Sequence, residues 1–212
     1  KTGDYIPLPR LIPESISTTT KKSSYYYELL GYYIAEGCSL EYSVVICNME
    51  QEILDRVRFL SQKLNFRNLP LHNYGVVKGI SINSKLLIRK LKFEKCFGTS
   101  GTKKVPSTLF SQPNDSKAAF LRAYYDGDGS VEQHEVTCTT KSKQLVSDLS
   151  YLLFNFGIIA RIKPKFKKAT NSNHKGNTYY QLTISGQKNL TLFSQYISFN
   201  LTRKKAKLKT LL

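Results

Sequence analysis

What this chain lacks narrows the field first. No run of roughly eighteen apolar residues occurs in it, so it has no helical membrane span, and its first residues are not a secretory signal. Its four cysteines, Cys38, Cys47, Cys96 and Cys138, form no CxxC pair. We read them as reduced, mostly buried thiols of an intracellular protein, not a secreted one. The three histidines, His72, His134 and His174, are scattered, and none has the partners of a histidine-based hydrolytic site. The stretch from Gly98 to Lys104 is glycine- and lysine-bearing but fails the spacing of a phosphate-binding loop. Acids are also few: 15 against 32 lysines and arginines, a net charge of +17 over 212 residues.

So large a positive excess points to a polyanionic partner. The apolar share of 41% suits a globular chain with a sizeable core, and the 12% of aromatics argue against a basic tail.

Two nonapeptides organise the rest. The first runs from Leu29 to Gly37 and ends Ile34-Ala35-Glu36-Gly37; the second runs from Leu121 to Gly129 and ends Asp126-Gly127-Asp128-Gly129. Each reads as a helix ending in an acid followed by glycine. Small residues stand four apart in both, Gly31 and Ala35 in one, Ala123 and Gly127 in the other, and so share a helix face where a second backbone can approach closely. Packed strip on strip, the two helices place Glu36 and Asp128 side by side. Gly37 and Gly129 are expected to terminate them in the left-handed conformation. Carboxylates at the negative pole of a helix and next to each other are doubly disfavoured, and a divalent cation between them offsets both costs. The plainer alternative, two amphipathic helices with solvated last-turn acids, has to explain the same register twice.

Asp128 lies 92 positions after Glu36, and the same offset pairs Asn48 with Thr140 and Leu64 with Phe156. Ser84 then pairs with Gly186 at 102, so an insertion of ten is placed around 168–177. This is an internal duplication. Ser24 is an expected N-cap of the first helix, about 25–36. A strand at 42–48, a helix at 50–64, strands at 66–73 and 76–83 and a helix from Lys85 to Leu91 follow. Then come a connection at 94–114, a helix at 115–128, a strand at 135–140, a helix at 142–156, strands at 158–167 and 178–185, and a helix from about 187.

In the second half Arg161, Lys163, Lys165 and Lys167 alternate with Ile162, Pro164 and Phe166, and Gln181, Thr183 and Ser185 alternate with Tyr180, Leu182 and Ile184. Period two predicts one cationic face and one apolar, core-facing one. Asn68, His72 and Tyr74 opposite Leu69 and Leu71 are a weaker version in the first half. Such a stripe is either a solvated face or a nucleic-acid contact; the charge and the paired motifs favour DNA, with Arg161, Lys163, Lys165, Lys167, Gln181, Thr183, Asn68 and His72 as contacts in the groove.

Both nonapeptides resemble the motif of the LAGLIDADG homing endonucleases, the second through Asp126-Gly127-Asp128-Gly129, the first through the Ala-Glu-Gly variant with Ile34 in place of the first acid. The segment from Gly3 to Arg10 is similar to the lead-in from an intein's splicing part to its endonuclease part. No leading Cys or Ser and no terminal His-Asn is visible, so the chain reads as the endonuclease part alone. The resemblance implies an α+β pseudo-dimer of two αββαββα halves, motif helices at the interface and saddle-shaped antiparallel sheets facing DNA. It divides the chain into a lead-in and linker (1–23), a first half (24–114) and a second half (115–212). It implies Glu36 and Asp128 as catalytic metal-binding acids for Mg²⁺, with Mn²⁺ able to substitute. Lys103, in a Lys-x-Val-Pro-like segment, and Lys204 or its neighbour Lys205 are the implied active-site lysines, and Asn48 and Thr140 match a polar position near the metal waters. The implied activity is a double-strand break with short 3′ overhangs in a long double-stranded DNA site, made by a monomer. An RNA maturase and a non-catalytic DNA-binding regulator on the same fold are the alternatives.

Overall fold

The computed structural model describes residues 23–167 and 176–212. The expected lead-in and most of the expected insertion lie outside the described residues.

The first motif forms helix α1 (Ser24–Glu36), and the Ser23 hydroxyl, not Ser24, accepts from the Tyr25 amide at its start. Strands β1 (Gly37–Ser39) and β2 (Ser43–Asn48), helix α2 (Gln51–Lys63), strands β3 (Leu71–Tyr74) and β4 (Val77–Asn83) and helix α3 (Lys85–Phe93) complete the first half. A 3₁₀ turn at Ser107–Ser111 interrupts the connection. The second half repeats the order as α4 (Asn114–Asp128), β5 (Gly129–Val131), β6 (Glu135–Thr140), α5 (Lys143–Phe154), β7 (Arg161–Lys167), β8 (Asn177–Ser185) and α6 (Gln187–Tyr196), and adds α7 (Thr202–Lys209). None of the helices is long and apolar enough to cross a membrane among the described residues.

Strand register carries the duplication down to single residues. Each half has a four-stranded antiparallel sheet, β1-β2-β4-β3 and β5-β6-β8-β7. Gly37 faces Ile46 as Gly129 faces Cys138, and Ser43 faces Asn83 as Glu135 faces Ser185. The first three of those positions are shifted by 92 and the last by 102, as the sequence arithmetic requires. Val44, Ile46, Ile80 and Ile82 point from the first sheet toward the helices, and Val136, Cys138, Leu182 and Ile184 do so from the second; all eight are buried. Among the described residues, the opposite face of each sheet carries no helix.

α1 and α4 pack along their whole length at the centre. A Cβ on Gly31 would overlap the Phe120 carbonyl oxygen and stand 2.8 Å from the Ala123 Cβ; one on Gly127 would stand 2.6 Å from the Ala35 Cβ. The four small residues therefore meet as two reciprocal pairs. The expected left-handed glycines at the helix ends are not found: Gly37 (φ −87°, ψ 150°) and Gly129 (φ −82°, ψ 152°) are extended. Each turns the chain straight out of the helix into β1 or β5. Glycine is needed there for space, since a Cβ on Gly37 would lie 2.5 Å from the Tyr33 ring, and one on Gly129 would overlap the Tyr125 carbonyl. This is also why the two short strands escape a search for strand patterns, which needs four to eight residues.

Two further expectations change. β3 starts at Leu71, not at 66, which leaves Asn68 in the loop before it. β7 is an edge strand that runs out beyond the core. Ile162 and Phe166 are 40% and 67% exposed, so its apolar face is not covered as the alternation predicted. Pro164 fits that edge position, because an edge strand has a side with no ladder to break.

Candidate active site

Glu36 and Asp128 end α1 and α4 and face each other across the seam, where a Cβ on Gly127 would lie 2.9 Å from Glu36 Cγ. They line a cavity of about 500 Å³ together with Cys38, Lys103, Thr140 and Tyr179. Burial, then the Glu36 charge, pushes the Asp128 carboxyl from 3.8 up to about 7. Burial also raises Glu36, against the pull of Lys204, Lys103 and Asn48.

The two lysines do something the sequence did not suggest. Lys103 Nζ donates to the carbonyls of Tyr33 (2.8 Å), Ile34 (3.1 Å) and Gly37. Lys204 Nζ donates to those of Tyr125 (3.0 Å), Asp126 (2.6 Å) and Gly127 (3.3 Å). Each ammonium thus caps the C-terminus of one motif helix, with three carbonyls for its three donors. They supply the positive charge that the helix ends and adjacent acids demand. Burial lowers each lysine to about 8, so both remain largely charged at neutral pH. Of the two neighbouring candidates, Lys204 is enclosed and makes these contacts, whereas Lys205 is exposed. The pairing with Lys103 is then 101 positions, one less than the strand offset. α7 was not foreseen because it has few apolar residues, yet Leu201, Lys204 and Leu208 lie on one helical stripe, with a lysine where a core residue is expected.

Asn48 and Thr140 play equivalent local roles and unequal distant ones. Asn48 Oδ1 accepts from the Glu50 amide (2.8 Å), and Thr140 Oγ1 accepts from the Ser142 amide (3.1 Å). Only Asn48 reaches the motif acid, donating to Glu36 Oε1 at 2.9 Å.

Asp126, the acid that Ile34 replaces in the first motif, was not singled out as a site residue. It accepts from the amides of Asn200 (2.9 Å) and Leu201 (3.1 Å) and from the Tyr32 hydroxyl (2.9 Å), tying the approach to α7 onto the seam. Asn200 also donates to Glu28, itself paired with Arg56. Thr202 donates to Glu52, and Arg203 to Glu50. The C-terminal element therefore holds on to the opposite half.

On the helix-free face of the second sheet, Arg161 stands opposite Thr183 and Lys163 opposite Gln181, with Lys165 opposite Tyr179. Arg161, Lys163 and Lys165 are exposed and Gln181 half-exposed. Lys167 ends the strand, and its side chain lies outside the described residues. Thr183 is only 6% exposed, covered by its neighbours, and so does not fit the contact role expected of it. In the first half His72 is half-exposed on the helix-free face, and Asn68 is exposed in the loop.

Among the described residues no three His, Cys, Asp or Glu side chains gather as a metal cage. The donor set at the seam is two carboxylates, hard oxygen ligands with a shared need for positive charge, while both lysines are occupied by carbonyls. That set fits a Mg²⁺-type ion, which commonly takes one or two carboxylates and completes its shell with water and substrate phosphate.

The carboxyl pair costs the metal-free protein stability. Between about pH 4 and 7 folded Asp128 keeps a proton that the unfolded chain has lost, so its contribution falls as pH rises through that window and the full penalty stands above it. In chelator, Asp128→Asn should raise the unfolding free energy at pH 8 by on the order of 1–4 kcal/mol. By pH 4 the gain should vanish in the same denaturation experiment.

Comparison with known proteins places this geometry. Residues 115–198 match the LAGLIDADG-like domain family. The chain has the fold of the homing endonuclease I-DmoI. A crystal structure of I-DmoI in complex with DNA and Ca superposes with a TM-score of 0.60 and 20% identity over 88% of this chain and 97% of that one. The N-terminal LAGLIDADG domain of DUF199/WhiA is similar too, with a TM-score of 0.56 and 15% identity over 94% of this chain and 93% of that one. In sequence, the chain is similar to part of a replication factor C small subunit of Methanocaldococcus jannaschii, 32% identical over 98% of this chain and 11% of that protein. A replicative DNA helicase DnaB of Rhodothermus marinus is 29% identical over 97% of this chain and 23% of that protein. The chain thus spans between a tenth and a quarter of the length of these relatives.

Proposed function

We propose that the chain is a site-specific, metal-dependent endonuclease that makes a double-strand break in a long DNA site. The observation that carries this reading is the reciprocal packing of α1 and α4, which brings one acid from each half to a single cleft between two sheets. Glu36 and Asp128 would hold a divalent metal ion, which when bound would lower the pKa of an attacking water and stabilise the departing oxygen. Asn48 fixes the Glu36 carboxylate from β2. Lys103 and Lys204 hold the helix ends and offset the carboxylate charge without a spare donor for the substrate, so we assign them positioning roles. Double-stranded DNA lies along the helix-free faces. The structures of I-DmoI in complex with DNA and Ca, and with DNA and Mn, support both the partner and the ion class.

The similarity to segments of proteins as differently named as a replication factor, a helicase and a glutamine–fructose-6-phosphate aminotransferase supports a mobile element carried inside host proteins, in keeping with the intein-like lead-in. Cleavage of a randomised DNA library with Mg²⁺ tests the function: one recovered long sequence, cut on both strands to leave short 3′ overhangs, is expected.

Binding should be steeply salt-dependent, with log affinity falling by about 0.9 per neutralised phosphate for each unit of log salt. Lys163→Ala with Lys165→Ala should flatten that slope by about two units if both cations sit on phosphates. An unchanged slope with relaxed base preference would move them to base edges, and no change in either would leave the stripe facing solvent.

A further inference from the structure

The helix-free faces of the two sheets are equivalent in register and opposite in chemistry. The second presents Arg161, Lys163 and Lys165. At the equivalent places the first presents no Lys or Arg: its outward residues are Cys38, Cys47, His72, Tyr74 and Val77, over a floor of Val45, Gly79 and Ser81, with the polar pair Ser43 and Asn83 only at the end of the face away from Tyr74. Gly79 makes room for this surface. A Cβ there would stand 2.8 Å from Cys47 Sγ, 3.1 Å from the Tyr74 ring and 3.2 Å from Val45 Cγ1. Thiol, ring and methyl therefore close over the glycine in one apolar layer. Tyr74 is 56% exposed, and His72 is stacked on it with ring centres 6.2 Å apart. The layer is continuous with the candidate active site, since Cys38 also lines the cavity that holds Glu36 and Asp128.

We infer that the two halves read their half-sites by different chemistry: the second by phosphate and hydrogen-bonding contacts, the first by van der Waals contact with the 5-methyl groups of thymines in the major groove. This rests on the endonuclease reading above. The thymine methyl is the apolar group that a major groove offers, and a layer with little charge or hydrogen-bonding fork gains most from burying it. Losing one such buried methyl weakens binding by about fourfold. The half-site under the first sheet is accordingly rich in thymine, and its share of binding is insensitive to salt.

The experiment uses the site recovered from the randomised library. Every thymine is replaced by deoxyuridine, which removes only the methyl, first in one half-site and then in the other, and affinity is measured for each. One half-site should lose about fourfold per contacted methyl, and the other should lose nothing. Tyr74→Ser with Cys47→Ser should abolish that loss, whereas Lys163→Ala should leave it intact; this coupling also assigns which half-site lies under which sheet. Equal losses in both half-sites, no loss in either, or a loss that survives the Tyr74 and Cys47 changes would overturn the inference. None of these three results touches the nuclease function, which fails separately if no sequence is bound and cut.

Discussion

Glu36→Gln and Asp128→Asn should each abolish double-strand cleavage, by a thousandfold or more, while leaving DNA affinity nearly unchanged. The size follows from what each acid does. Taking away one charged ligand removes metal-supplied stabilisation worth several kcal/mol, and each 1.4 kcal/mol is about tenfold in rate. Affinity should survive because it comes from other groups: Arg161, Lys163 and Lys165 lie on an exposed sheet face, away from the cleft floor. Structure should survive too. A glutamine at 36 keeps an oxygen for Asn48, and an asparagine at 128 removes a carboxyl that burial already forces up to about 7. Cleavage and affinity are read from the same preparations, by linearisation of a plasmid and by filter binding. A variant that cuts at the normal rate would remove the proposed chemistry.

The second large effect lies in the seam. Gly31→Leu should cost typically 1–3 kcal/mol for overpacking, and more where a backbone atom blocks relief. The Phe120 carbonyl is such an atom, since it already overlaps the position of a single Cβ. Even Gly31→Ala should therefore be destabilising, although alanine is ordinarily the better helix former by about 1 kcal/mol. The change also forces α1 from α4 and so spreads Glu36 from Asp128. Cleavage by the folded variant should fall further than its lost stability explains. Denaturation midpoints and single-turnover rates, measured below the temperature at which the variant unfolds, separate the two effects. A folded Gly31→Leu protein that cuts normally would show that helix approach does not set the carboxylate distance.

Much of this was legible in the residues because the chain says it twice. The offset of 92 positions runs on into the observed register, where Gly37 faces Ile46 as Gly129 faces Cys138, and small residues four apart predicted the close packing of the two strips, which meet as Gly31 on Ala123 and Ala35 on Gly127. What escaped was what is not repeated or not periodic. β1 and β5 are three residues each and begin on the glycine that reads as a stop. α7 buries a lysine on its inner stripe, so its pattern does not look amphipathic. The lysines were placed near the acids by resemblance, but their three carbonyl partners depend on how the connection and α7 return to the seam. Asp126 was seen as a motif position and not as the anchor of Asn200 and Leu201, because the partner segment is 74 residues away in sequence. β7 misled through its alternation. Period two shows which residues share a face and not how well that face is covered, and at this sheet edge Ile162 and Phe166 stay exposed.

The central claim is that one chain holds both acids of a working pair. The most direct test is plasmid cleavage with Mg²⁺ at protein concentrations where sedimentation shows monomer alone. The account predicts that linear product appears at a rate first order in protein, and that Gly31→Leu suppresses it while the protein remains folded and monomeric. Linear product that forms only where dimers are present would contradict it.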